Sequence, residues 1–145
     1  MRKDIQVSIL IDAAPSQVWD ALTDSRKLKD FFFGSDVVTD WKVGGPIRFR
    51  GEWKGKAYED RGTVVAFEPP RLLAYTHWSP LSGTEDRPEN YHQVAFDLQP
   101  RDRETQVTLT QSSAESAPPP GEKSRAEFTK NWENVLRGLK RAAER

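Results

Sequence analysis

A chain of 145 residues falls in the range of one ordinary domain and can bury most of the surface its unfolded form exposes, so residues 1–145 are expected to fold as a single unit. Lys+Arg and Asp+Glu are both 22, giving a formal net charge of zero, which removes the global electrostatic case for nucleic acid or an anionic membrane as partner. Cysteine is absent, so disulfides, thiolate zinc sites and a cysteine nucleophile are excluded, in keeping with a reducing compartment. Met1-Arg2-Lys3-Asp4 leads directly into an alternating segment with no apolar signal core or membrane-length apolar run, and a soluble cytoplasmic protein is expected.

Ile5 to Ile11 places apolar residues at every second position, the period of a strand with one buried face. Pro15 suits the first position of a helix, and Val18, Trp19 and Leu22 follow at helical spacing. Asp24 is placed to cap a second short helix that carries Leu28, Phe31 and Phe32. Gly44-Gly45-Pro46 is a strong turn, and Ile47-Arg48-Phe49-Arg50 then alternates as a strand.

The next turn falls at Trp53-Lys54-Gly55-Lys56. A two-residue loop at Lys54-Gly55 pairs Trp53 with Lys56, Arg50 with Glu59 and Phe49 with Asp60. Tyr58 to Phe67 forms the third strand, Pro69-Pro70 forces a reversal, and Leu72 to Trp78 returns as the fourth. Ser79 to Glu89, rich in Pro, Gly, Ser and acidic residues, reads as a long flexible loop at one end of the sheet, where such loops cover openings. His92 to Leu98 and Thr105 to Thr110 alternate as two further strands joined by a turn at Pro100-Arg101-Asp102-Arg103. Beyond Pro118-Pro119-Pro120-Gly121, the residues Phe128, Trp132, Val135, Leu136 and Leu139 mark one stripe of a long helix.

The predicted architecture is therefore α+β. A six-stranded curved antiparallel sheet wraps a long C-terminal helix, with two short helices after the first strand.

Pro15-Ser16-Gln17-Val18-Trp19-Asp20-Ala21-Leu22-Thr23-Asp24 resembles the first-helix signature of the START-like (SRPBCC, helix-grip) superfamily. Gly62-Thr63-Val64-Val65, Glu68-Pro69-Pro70-Arg71-Leu72 and Asn131-Trp132-Glu133-Asn134-Val135-Leu136 extend the likeness in order from Ile5 to Lys140. The branch it is most similar to is the one named for the activator of the ninety-kilodalton heat-shock chaperone's ATPase. The resemblance implies the helix-grip fold and, through the branch, a chaperone partner and a role in the stress response. Other members of the superfamily bind lipids, sterols, polyketides or plant hormones, and some are cyclases or aromatase-like enzymes, so the fold alone does not choose.

The hairpin register carries Phe49, Tyr58 and Asp60 onto the helix-facing side, and alternation adds Tyr75, His77, His92 and Phe96. With Phe32, Phe128 and Trp132 they form a candidate wall for a small apolar or aromatic ligand, since an apolar cavity with a few convergent polar groups is the usual form of such a site. A one-residue bulge would instead turn Asp60 outward and leave His77 and His92 solvated at strand ends. Arg48, Arg50 and Arg61, with Glu59, fall on the opposite face as a solvated charge ladder. Arg137, Lys140, Arg141 and Arg145 suit a helix C-terminus.

Zinc on Asp60, His77 and His92 is chemically conceivable but has no supporting ligand motif, so neither a metal nor another cofactor is expected. Nucleophile elbow, phosphate loop and dinucleotide fingerprint are absent from the sequence, and no catalytic residue is assigned. Three functions remain open. They are a small-molecule binding module, a chaperone-interacting protein, and a cyclase or hydrolase acting on an aromatic or polyketide substrate through Asp60 and His77. A monomer or a dimer is compatible with each.

Overall fold

Side chains that alternate between two faces build one sheet and leave its inner face to be covered by a helix. The computed structural model describes residues 4–32, 34–80, 84–113 and 122–144, with residues 53 and 124 described by backbone alone. In chain order the elements are β1 (Ile5–Ile11), α1 (Pro15–Thr23), α2 (Ser25–Phe31), β2 (Asp36–Thr39), β3 (Pro46–Trp53), β4 (Lys56–Glu68), β5 (Leu72–His77), β6 (His92–Arg101), β7 (Glu104–Ser112) and α3 (Glu122–Glu144). The strands pair antiparallel in the order β1-β7-β6-β5-β4-β3-β2. Phe33, the Pro118-Pro119-Pro120-Gly121 connection and Arg145 lie outside the described residues.

The sheet has seven strands rather than the six expected from the sequence. The additional one is β2, whose four residues are too few to display a period. Val37 alone anchors it at 6% exposure, while Val38 is 46% exposed.

The hairpin between β3 and β4 has the expected register, with Trp53 opposite Lys56, Arg50 opposite Glu59 and Phe49 opposite Asp60. Lys54 and Gly55 both adopt positive φ, 51° and 78°, the signature of a two-residue turn whose twist matches that of the flanking strands. Farther along β4 the register against β5 shifts between Val64 and Ala66. This bulge at Val65 adds one residue to β4 and returns Phe67 to the inner side, where its ring meets Trp19 at 5.3 Å and Trp41 at 5.8 Å.

At the first helices, Pro15 occupies the opening turn of α1, and Ala14 N donates to Gln17 Oε1 at 3.2 Å. Asp24 caps α2 by accepting from Arg26 N at 2.9 Å. The Ala and Leu side of α3 then closes the inner face: Trp132, Val135, Leu136, Leu139, Ala142 and Ala143 are all buried. Gly138 lets α2 approach, since a Cβ there would lie 2.2 Å from Phe31 Cβ.

The polar side of α3 closes an edge. β1 ends the strand order, and an unpaired strand edge is a template for aggregation. Arg125 Nη2 donates to Asp4 O at 2.5 Å, Lys140 Nζ donates to Leu10 O at 3.3 Å, and Glu144 Oε2 accepts from Asp12 N at 2.7 Å.

Among the described glycines, Gly62 makes the tightest backbone approach. A Cβ on it would lie 1.7 Å from the Thr76 carbonyl oxygen. Regular pairing is interrupted there, and Thr63 N donates to Thr76 Oγ1 at 2.9 Å instead. Because neither backbone can give way cheaply, Gly62→Ala is expected to destabilise the fold by about 1–3 kcal/mol. Urea unfolding should show a lower midpoint with an unchanged slope; an unaltered midpoint would contradict the close approach.

Candidate functional site

The inner face divides into a closed apolar part and a polar end. In the closed part, the rings of Phe32 and Phe49 stack at 5.3 Å, Phe32 meets Trp132 at 6.1 Å, and Tyr75 bridges Phe49 and Phe96 at 5.5 and 6.4 Å. These rings fill the space where the sequence led us to expect an open pocket. What remains is an apolar void of about 10 Å³ bordered by Leu22, Val37, Trp41, Phe49, Tyr75 and Phe96, room for about one water at most. Burial raises the Tyr75 pKa far above its usual value, keeping the phenol protonated.

Polar residues enter the inner face in successive strands at one end of the sheet. Asp60 comes from β4, His77 from β5, His92 from β6 and Gln111 from β7. His77 and His92 are directly opposed, and Gln111 is opposite Val94, one inward-facing position deeper than His92. The Gly62 approach draws β5 against β4, and His77 Nε2 lies 2.9 Å from Asp60 Oδ2. A carboxylate only accepts, so the imidazole hydrogen in this bond sits on Nε2. The side chains of His77 and Asp60 retain 22% and 14% exposure.

Two aromatic residues of α3 cover this end. Phe128, half-buried, meets His92 edge to face at 5.7 Å. Trp132 Nε1 donates to Gln111 Oε1 at 2.6 Å, which satisfies both groups in a buried position. Phe49 closes the wall from the other side, edge to face with His77 at 5.2 Å. Asp60 Oδ1 and His92 Nδ1, by contrast, are buried and have no hydrogen-bond partner among the described residues. Burial is the main cause, and His77 the second, of a His92 pKa below its usual range.

Of the ten candidate wall residues, Asp60, His77, His92, Phe49 and Phe128 meet at this end. Phe32, Tyr75 and Phe96 pack into the closed part beside it, and Trp132 touches both, through Gln111 and Phe32. Tyr58 joins neither group: its ring lies across its cross-strand partner Gly51, where a Cβ would sit 2.6 Å from the Tyr58 hydroxyl. Gln111 was not foreseen. It continues the alternation of Val107 and Leu109 by one more inward position, so the signal was present in the sequence but ran past the expected end of the strand.

The loop after β5 also departs from expectation. The stretch from Thr84 to Tyr91 lies on the outer face and does not cover an opening of the inner one. Trp78 Nε1 donates to Thr84 Oγ1 at 3.1 Å and the Trp78 ring lies tilted 6.3 Å from that of Tyr91, while Asp86 accepts from the Tyr91 hydroxyl at 2.6 Å and pairs with Arg61 at 3.2 Å. Burial, then Asp86, pushes the Tyr91 pKa up to about 12. A groove of about 640 Å³ runs between this loop and the strands, lined in part by Arg48, Glu59, Arg61, Thr76 and Tyr91. Glu59 takes up Arg48 and Arg50 at 3.8 and 2.8 Å, the exposed charge ladder expected from the register.

Among the described residues no group of His, Cys, Asp and Glu is arranged to hold a metal ion, and no helix is long and apolar enough to cross a membrane. Residues 12–144 match the family described as Activator of Hsp90 ATPase homolog 1-like protein. The chain belongs to that family.

Solved structures agree with its START-like fold. The solution structure of ChR145 from Cytophaga hutchinsonii is 42% identical over 97% of this chain and 92% of that one, with a TM-score of 0.80. MLL2253 from Mesorhizobium loti is 21% identical over 96% and 95%, with a TM-score of 0.74. The Aha1 dimer from Colwellia psychrerythraea is 22% identical over 97% and 96%, with a TM-score of 0.71. No curated protein matches the chain.

In this family member the neutral state of His92 is linked to folding. Its pKa is lower in the folded state, so the unfolded chain binds the proton more readily. The corresponding stability is complete above about pH 6.5 and falls as the pH drops below it. Between about pH 7.5 and about pH 5.5, the urea midpoint of the wild type should fall further than that of His92→Gln. Equal falls would contradict a buried neutral imidazole.

Proposed function

We propose that this chain is a binding protein for a small aromatic molecule, seated at the polar end of the inner wall where Phe128 meets His92. The observation that carries the reading is the pair of buried polar atoms, Asp60 Oδ1 and His92 Nδ1, without partners among the described residues of an otherwise apolar wall. Buried polar groups are normally satisfied, and leaving one unpaired costs about 1–3 kcal/mol. A ligand that pairs with them recovers that cost, which gives binding at this end a driving force beyond apolar contact. The outer groove is larger, but the charges of Arg48, Arg61, Glu59 and Asp86 along it are already in ion pairs.

Phe128 forms the adjustable side of the site. It is half-buried at the first turns of α3, whereas the rings deeper in the wall are locked against one another. The 2.9 Å contact of Asp60 with His77 supports a second reading, in which a bound aromatic or polyketide substrate loses a proton to this pair. Turnover that survives both Asp60→Asn and His77→Ala would dispose of it.

Titration calorimetry with a bicyclic aromatic such as 2-naphthol tests the first reading. Saturable one-to-one binding is expected, weakened about tenfold by Phe128→Ala, the equivalent of about 1.4 kcal/mol of lost contact, and unchanged by Arg61→Ala on the outer face. Binding that ignores Phe128 and depends on Arg61 would move the site to the groove.

A further inference from the structure

The hydrogen-bonding inventory of the polar end restricts what the bound molecule carries. Asp60 uses Oδ2 on His77 and leaves Oδ1 buried. A carboxylate oxygen accepts and cannot donate, so its partner must bring a hydrogen. His92 Nδ1 is buried in the same end and also unpaired among the described residues. A ring nitrogen of a neutral imidazole makes one hydrogen bond, as donor or as acceptor.

Three substituents on an otherwise identical aromatic body fare differently here. A hydroxyl gives its hydrogen to Asp60 Oδ1 and keeps lone pairs for other donors. A methyl ether has the lone pairs but no hydrogen, so Oδ1 stays unpaired. A carboxylate has no hydrogen and brings a second negative charge beside Asp60 in a partly buried position, where like charges repel strongly. Of the described cations, Arg48, Arg50 and Arg61 are on the outer face with Glu59 and Asp86, and Arg125 reaches the Asp4 carbonyl. The rings that flank the imidazoles, Phe49 and Phe128, favour a flat apolar body.

We infer that the polar end selects an uncharged, hydroxyl-bearing aromatic molecule, a phenol, and rejects the corresponding carboxylate. The inference rests on the binding reading above and adds the identity of the recognised group. Asp60 is its specificity determinant, Oδ1 the atom that reads the hydroxyl, and His77 the positioning residue that fixes the carboxylate.

Four probes that differ only in one substituent test it on the full chain: 2-naphthol, 2-methoxynaphthalene, naphthalene and 2-naphthoate. 2-Naphthol is expected to bind at least about tenfold more tightly than the ether and the naphthoate, the discrimination a site built to bond a hydroxyl exerts. In Asp60→Asn, which keeps the shape and removes the charge, the advantage of naphthol over the ether should shrink to about threefold or less, and naphthoate should gain about tenfold. If circular dichroism shows that Asp60→Asn does not fold, His92→Phe serves instead: it should narrow the naphthol preference without admitting naphthoate.

Equal binding of naphthol and ether, or naphthoate binding as tightly as naphthol, overturns the inference and leaves the binding reading standing. A naphthol preference unchanged in Asp60→Asn also overturns it. Failure of all four probes to bind overturns both.

Discussion

The contact between the apolar stripe of α3 and the inner face of the sheet is the constraint on which the rest depends. A seven-stranded antiparallel sheet with one apolar face cannot leave that face in water, and each large side chain buried by α3 contributes about 1.5–3 kcal/mol to closing it. Trp132, Val135, Leu136 and Leu139 supply that stripe. The same helix secures β1 from the side through Arg125, Lys140 and Glu144, so its two faces perform two tasks, covering the core and blocking an edge. Where the stripe thins out toward the start of α3, Phe128 is only half-buried, and there the wall becomes polar.

That polar end follows from backbone geometry. Gly62 allows β4 and β5 to approach more closely than a Cβ there would permit, and His77 pairs with Asp60 across the same two strands. The bulge at Val65 then lets β4 point both Asp60 and Phe67 inward although they are seven residues apart, a spacing that strict alternation would place on opposite faces. One strand therefore serves a polar end and an aromatic core together. On the outer face the same strand carries Glu59 and Arg61, whose charges find partners at the surface.

Much of this was legible in the sequence, and the limits have physical reasons. The Lys54-Gly55 turn defined the register because two residues with positive φ admit one hairpin geometry, and from it the pairing of Phe49 with Asp60 followed. Strand β2 was not legible because four residues hold too little periodicity. The expected pocket gave way to Phe32, Phe49, Phe96 and Trp132 because a pattern of inward-facing rings fixes which face they occupy, but not whether they leave space between them. The placement of Thr84 to Tyr91 on the outer face depends on Trp78 finding Tyr91 and Thr84, a contact with no local signature. Gln111 escaped notice because a polar residue at the end of an apolar alternation reads as the strand's exit rather than as its last inward position.

The chain contains two histidines, and both lie in the proposed site, so their imidazole resonances report on it without ambiguity. Binding at the polar end predicts that saturating 2-naphthol shifts the ring nitrogens of His92 and His77 in nitrogen-15 NMR, with the larger change at His92 Nδ1 as it gains a partner. Imidazole signals that stay in place while the resonances of Trp78 and Tyr91 move would put the ligand in the outer groove and contradict the assignment of the site.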